Sequence, residues 1–123
     1  MQHQWNERDP IFLQIRDQIV GMILGNSLRE DEQLPSVRQV AAEYSVNPIT
    51  VMKAYQLLGD EGVLEKRRGL GMFIQGGARE RLLEQERRRF LDEEWPRILR
   101  RVEELGLSLD QLAGSKTGGK NRG

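Results

Sequence analysis

The groups in this chain that could do chemistry are cations and small polar side chains, set close to two helix starts and a glycine-rich turn. Arg38, Asn47, Thr50 and Lys53 fall in one stretch, and Lys66, Arg67 and Arg68 stand directly before Gly69-Leu70-Gly71. Cations of this kind neutralise phosphates, while hydroxyl, amide and helix N-terminal N–H groups position a nucleic-acid backbone. Other chemistry is poorly served. The 123 residues include no cysteine and one histidine, His3, so disulfides and thiolate metal sites are excluded and most zinc geometries with them. No serine or aspartate stands in a nucleophile setting, so neither an enzyme nor a cofactor is expected. Lys+Arg and Asp+Glu balance at nineteen each. Overall charge therefore gives no argument for DNA, and any basic footprint must be local.

The elements that must position these groups follow from cap and turn signals. Ser36 precedes Gln39 by three residues, a capping box, and Val37, Val40, Ala41 and Tyr44 supply the buried stripe of the helix it opens. After a brief turn at Ser45-Val46, Asn47 and Pro48 start another helix that can run to Glu61 before Gly62 stops it. Two short helices joined this way are a helix-turn-helix, with the second as recognition helix. Projection at 100° per residue puts Val51, Ala54, Tyr55 and Leu58 on one side and Ile49, Met52, Lys53 and Gln56 on the other. Exposed Ile49 and Met52 suit thymine methyl groups in a major groove, or else a protein contact. Beyond Gly62, Val63–Arg67 and Met72–Ile74 read as a hairpin turned by Gly69 and Gly71, with Lys66, Arg67 and Arg68 at its tip. Upstream, Asp9-Pro10 starts a helix capped by the Asp9 carboxylate. Ile11, Phe12, Ile15, Ile19, Val20, Met22 and Ile23 face its core side; Gln14, Arg16, Asp17 and Gln18 are left for solvent. Gly25 is expected to end it in the left-handed conformation, before a polar, acidic loop over residues 26–33.

The remainder is an appendage after Gly76-Gly77, a plausible hinge. Leu83, Phe90, Leu91, Trp95, Ile98, Leu99, Val102 and Leu105 thread through densely charged sequence, with alternating four- and three-residue intervals from Leu91 to Leu105. Pro96 interrupts this seam, so one helix is expected to about Glu94 and another from Trp95-Pro96. Neither has a core of its own. The seam is assigned to dimerisation with a second copy, and folding back on the first helix is the rival. Ser108 and Gln111 form a further capping box for a short helix carrying Leu109 and Leu112. The expected organisation is mostly α with a small β-hairpin: a winged helix-turn-helix domain over 1–75, a two-helix dimerisation region over 76–113, and a disordered basic tail over 114–123 with Lys116, Lys120 and Arg122.

Leu34-Pro35-Ser36-Val37-Arg38, the run Val46 to Tyr55, and the run Arg67 to Ile74 together resemble the winged-helix domain of GntR-type bacterial transcription regulators, over roughly residues 9–75. The resemblance implies that Arg38 contacts DNA, that Thr50 and its neighbours lie in the major groove, and that the Gly69 wing approaches the minor groove. Many family members carry arginines along the recognition helix, where Pro48 and Met52 stand here. The short helical region that follows is similar to that of the YtrA subfamily. That similarity implies a homodimeric repressor of its own operon, with transporter genes, acting on a palindromic double-stranded operator. The candidate DNA-binding set is Ser36, Arg38, Asn47, Ile49, Thr50, Met52, Lys53, Arg67, Arg68, Gly69 and Gly71. The alternative is a winged-helix module that binds protein instead. A small-molecule effector is left open. No stretch approaches the roughly 20 apolar residues of a membrane span, and the start of the chain lacks signal-peptide character, so a cytoplasmic location without membrane partners is expected.

Overall fold

In a computed structural model, which describes residues 5–114, both expected helix starts are formed. Ser36 Oγ accepts from Gln39 N–H at 3.1 Å and Gln39 Oε1 accepts from Ser36 N–H at 2.9 Å, opening α2 (Val37–Tyr44). Asn47 Oδ1 accepts from Ile49 N–H at 2.8 Å to open α3 (Pro48–Asp60). Between them Ser45 adopts left-handed backbone (φ 56°), which turns the chain sharply enough for α2 to pack on α3.

Helix α1 (Ile11–Leu24) has the expected buried stripe but different ends. Asp9 does not cap it. Gln14 instead folds back, its Nε2 donating to the Asn6 and Asp9 carbonyls at 3.0 and 2.9 Å and its Oε1 accepting from Asn6 N–H. Gly25 stays at φ −86°, and Asn26 takes the left-handed turn at φ 65°. The displaced turn lets Ser27 and Leu28 N–H both reach the Met22 carbonyl and drops Leu28 into the core. Arg16, expected in solvent, is only 8% exposed. Its Nε and Nη2 donate to the two Glu61 oxygens at 3.0 and 3.1 Å, and Nη1 donates to Asp17 at 2.9 Å. Burial alone would favour losing the charge, but the hydrogen bonds to Asp17 and Glu61 outweigh it and hold the guanidinium pKa above its usual value. Periodicity on α1 sees only that position 16 is charged, not that a carboxylate at the end of α3 waits there.

The hairpin pairs β1 (Leu64–Arg67) with β2 (Gly71–Ile74), antiparallel, from Leu64 opposite Ile74 to Arg67 opposite Gly71. Part of the expected acidic loop runs along the other edge of β2. Asp31 N–H donates to the Ile74 carbonyl at 2.8 Å, Ile74 N–H to Glu32 at 2.9 Å, and Leu34 N–H to Met72 at 2.8 Å. The core lies between these elements, with Ile15, Ile23, Val51, Leu58, Leu64 and Ile74 almost wholly buried. It continues into α4 (Ala78–Arg89), whose Ala78 and Leu82 are buried in the same cluster.

The chain divides into two compact units, Met1–Glu84 and Gln85–Gly123, so the glycine pair lies inside the first. Gly77 has φ 80°, but Arg81 Nη2 donates to the Gly62 carbonyl at 2.6 Å, to Gln75 Oε1 at 2.8 Å and to the Gly76 carbonyl at 3.2 Å. Arg79 donates twice to the Leu24 carbonyl. The pair is a pinned turn, not a hinge.

The second unit contains the end of α4, a π-helical turn (Phe90–Glu94), α5 (Trp95–Glu104) and α6 (Leu109–Gly114). The break expected near Pro96 is absent: Arg89, Glu94 and Trp95 all keep right-handed helical backbone. Gly106 (φ 69°) follows α5, and the Ser108–Gln111 capping box forms as expected at 3.1 and 2.8 Å. His3 and the basic tail bearing Lys116, Lys120 and Arg122 lie outside the described residues.

Three stability predictions follow from these contacts. Gly71 has φ 118°, and a Cβ there would sit 2.8 Å from Gln33 Nε2, whereas at Gly69 (φ 77°) a Cβ meets nothing within 4 Å. Gly71→Ala should cost about 1–3 kcal/mol in urea unfolding, more than Gly69→Ala. Arg16→Ala should cost about 1–3 kcal/mol by leaving Glu61 without its charged partner, and Glu61→Gln, which retains one acceptor, should cost less. Tyr44 is buried edge-on against Trp5 at 5.5 Å, and burial first, then the Glu43 charge, push its phenol up to about 12. A folded-state pKa above the unfolded value of about 10 means that this contribution is complete below pH 10 and lost between about 10 and 12. Urea midpoints should fall across that window, and Tyr44→Phe should flatten the fall.

Candidate nucleic-acid interface

Helix α3 divides its faces as its sequence requires. Val51, Ala54, Tyr55 and Leu58 are buried, while Ile49 and Met52 are 56% and 42% exposed with Lys53 and Gln56 beside them in solvent. Thr50 is half-buried, and its N–H is held by the Asn47 carbonyl at 2.9 Å. Asn47 spends its side-chain oxygen on the cap, which leaves the amide NH₂ able to donate outward. Ser36 is in the same position: its oxygen caps α2, and its hydroxyl proton remains available. Arg38, one position into the exposed side of α2, has no ion pair or hydrogen bond to the described residues. Lys53 leans back towards α1, with Nζ 5.9 Å from the centre of the Phe12 ring.

The hairpin tip differs from its expected form in one respect. Lys66 and Arg68 are exposed and unpaired among the described residues, but Arg67 is tied down. Its Nε donates to Glu65 and its Nη2 to Asp31, both at 2.8 Å, and its guanidinium carbon lies 4.2 Å from the centre of the Phe73 ring. The hydrogen bonds to Glu65 and then Asp31 raise its already high pKa. Of the three cations expected at the tip, two face outward and one anchors the wing. Leu70, 63% exposed between the positive-φ glycines Gly69 and Gly71, stands at the tip itself. Its carbonyl accepts from Gln33 Nε2. Neither Gln33 nor Asp31 was legible as a wing support: each acts on a group 36 or 37 residues away, from a segment whose composition reads as loop. Ser36 and Gly71 line one open cleft of about 700 Å³, together with Pro35, Val37, Gln39 and Met72.

The residues expected to dimerise are less uniform. Leu83 is half-buried in the first unit. In the second, Phe90, Leu91, Ile98 and Leu105 are exposed, Trp95 and Leu99 are half-buried, and Val102 is already buried in a single copy. The Phe90 and Trp95 rings lie 6.4 Å apart, tilted by 32°. Among the described residues, no group of three or more Asp, Glu or His side chains could hold a metal, and no helix is long and apolar enough to cross a membrane.

Residues 12–74 match the family of bacterial regulatory proteins designated gntR. YhcF of Bacillus subtilis, an uncharacterized HTH-type transcriptional regulator, is 34% identical over 118 residues, covering 95% of this chain and 96% of YhcF. The HTH-type transcriptional repressor YtrA of the same organism is 40% identical over 75 residues, covering 61% of this chain and 58% of YtrA. A crystal structure of a transcriptional regulator from Oenococcus oeni superposes with a TM-score of 0.73 at 27% identity, covering 91% of this chain and 92% of that one. Taken with the helix-turn-helix, the wing and the outward cations around them, these matches establish that the chain belongs to the GntR family of bacterial regulatory proteins.

Proposed function

We propose that this DNA-binding transcription regulator acts as a homodimeric repressor on a palindromic operator, its own operon among the targets. The observation that carries the reading is the sorting of charge in the first unit. Arg16, Arg67, Arg79 and Arg81 bond to carboxylates or carbonyls, whereas Arg38 on α2 and Lys66 and Arg68 on the wing, like Arg8, Arg29 and Lys53, are left facing solvent, and α3 exposes Ile49 and Met52. In this reading Arg38, Lys66, Arg68 and the free protons of Ser36 and Asn47 bind phosphates or base edges, and Ile49, Thr50, Met52 and Lys53 face the major groove. The backbone at Gly69 and Gly71 comes close to the minor groove. Arg67 contributes by holding the wing. Similarity to YtrA, a repressor, supports the sense of regulation.

The exposed apolar side chains of the second unit support a second copy as partner. Charge order favours an antiparallel arrangement. Arg87-Arg88-Arg89 precedes Asp92-Glu93-Glu94, and Arg97, Arg100 and Arg101 precede Glu103-Glu104. Reversal about Trp95-Pro96 sets Arg87 and Arg88 against Glu104 and Glu103, and Glu94 against Arg97, whereas a parallel pair would oppose like charges. Two recognition helices would then read half-sites about one helical turn, roughly 34 Å, apart.

Selection of duplexes from a random pool, followed by fluorescence anisotropy, tests the reading. Expected are a two-fold symmetric site and affinity that falls steeply with salt. Arg38→Ala should cost about 1–3 kcal/mol on the selected site, and Arg68→Ala should lower the salt slope by about one. Arg67→Ala should weaken binding with a smaller change in slope, as expected of a support. Salt-insensitive binding, or none, would move Ile49 and Met52 to a protein partner and overturn the proposal.

A further inference from the structure

We infer that Pro96 creates the π-helical turn Phe90–Glu94, and that this turn brings the apolar residues before and after it onto one face for pairing with a second copy. The inference rests on the dimer reading above and adds what sets the phase of the paired face.

A proline has no N–H to donate, and in a regular α-helix its ring collides with the carbonyl four residues back. For Pro96 that carbonyl belongs to Asp92. A helix can stop at such a point or widen, and here it widens. Trp95 N–H donates to the Phe90 carbonyl, five residues back, so this turn holds one residue more than an α-turn. The Glu93 carbonyl, at the edge of the widened turn, accepts from Arg97 Nε at 3.3 Å.

The consequence is angular. Each residue advances by 100° in an α-helix but by roughly 82° in a π-turn, so five such residues delay everything after them by roughly 90°. With Phe90 set at zero, Trp95 falls at roughly 50°, Ile98 at −10°, Val102 at 30° and Leu105 at −30°, and the rim residues Leu91 and Leu99 near 80° and 90°. The apolar arc is then about 120° wide. In an uninterrupted α-helix the same residues would spread over about 180°, with Trp95 at 140° from Phe90. The Phe90–Trp95 ring contact at 6.4 Å is the direct mark of the delay, because residues five apart on a regular α-helix point to different sides.

A π-turn of this kind is equivalent to one inserted residue, so its effect can be removed and restored separately. In the full-length protein, Pro96→Ala should retain or raise helical content by circular dichroism. Its dimer dissociation constant in sedimentation equilibrium should weaken by about tenfold or more as the later residues rotate back. Pro96→Ala combined with deletion of the exposed Asp92 removes the extra residue, leaves a regular α-helix with the face in phase, and should return the constant to within about threefold of wild type. Pairing by Pro96→Ala as tight as wild type would overturn the inference, as would a double variant no tighter than Pro96→Ala alone. A monomeric wild type at all concentrations would overturn the dimer reading, and the phase inference with it. A dimeric wild type with insensitive variants overturns the phase inference alone.

Discussion

The winged helix-turn-helix half of the molecule depends on β2 having two neighbours. A hairpin of two four-residue strands is marginal in water, because it orders its backbone for few ladder bonds and has little apolar face to bury. Here the stretch from Asp31 to Leu34 completes the ladder on the far edge of β2 with three hydrogen bonds of 2.8–2.9 Å. The same short peptide goes on to place everything else. Leu34 is buried in the core, the Pro35 carbonyl accepts from Tyr55 on α3 at 2.7 Å, and Ser36 caps α2. Wing, recognition helix and the helix bearing Arg38 are thus fixed to one six-residue segment. A displacement of any of them strains the others.

Charge in the first unit follows the same logic. A net charge of zero looks unpromising for a protein that approaches polyphosphate, yet the balance is not uniform in space. Cations with structural work are matched at short range: Arg16 to Glu61 and Asp17, Arg67 to Glu65 and Asp31. The Arg67 pairs are largely exposed and screened by solvent, so their value lies more in holding the wing than in holding the fold. Once these are matched, Arg38, Lys66 and Arg68 remain exposed without an ion pair among the described residues, as do Arg8, Arg29 and Lys53. Composition counts charges, but only the pairing shows which remain available.

What the sequence revealed and what it hid separate by the range of the interaction. The caps at Ser36, Asn47 and Ser108 and the two faces of α3 are matters of three or four residues, and all appear as read. Arg16 bound to Glu61, Gln33 bound to Leu70, and Arg81 bound to Gly62 join positions 45, 37 and 19 apart, and none leaves a periodic trace. The extension of the first compact unit past the glycine pair was hidden for a related reason. Glycines mark where a turn is possible, while Ala78 and Leu82, two unremarkable residues in a charged run, carry the core onward into α4. Gly25 gave its expected turn to Asn26 because the requirement was met wherever Leu28 could be folded inward.

The prolines make the general point. Pro48 stands at a helix start, where its missing N–H would be unpaired in any case, and Pro10 immediately precedes one. Pro96 stands inside a helix and neither ends it nor leaves it regular. Ending it would free four carbonyls on one side and four N–H groups on the other, whereas widening one turn forfeits little beyond the bond that proline could not make. Residue type therefore sets which distortion is needed, and the helix on either side decides how it is absorbed. In this chain the absorbed form is also the one that keeps the aromatic and aliphatic side chains of the second unit on a common face, so the same local constraint serves both the continuity of the helix and the surface it presents.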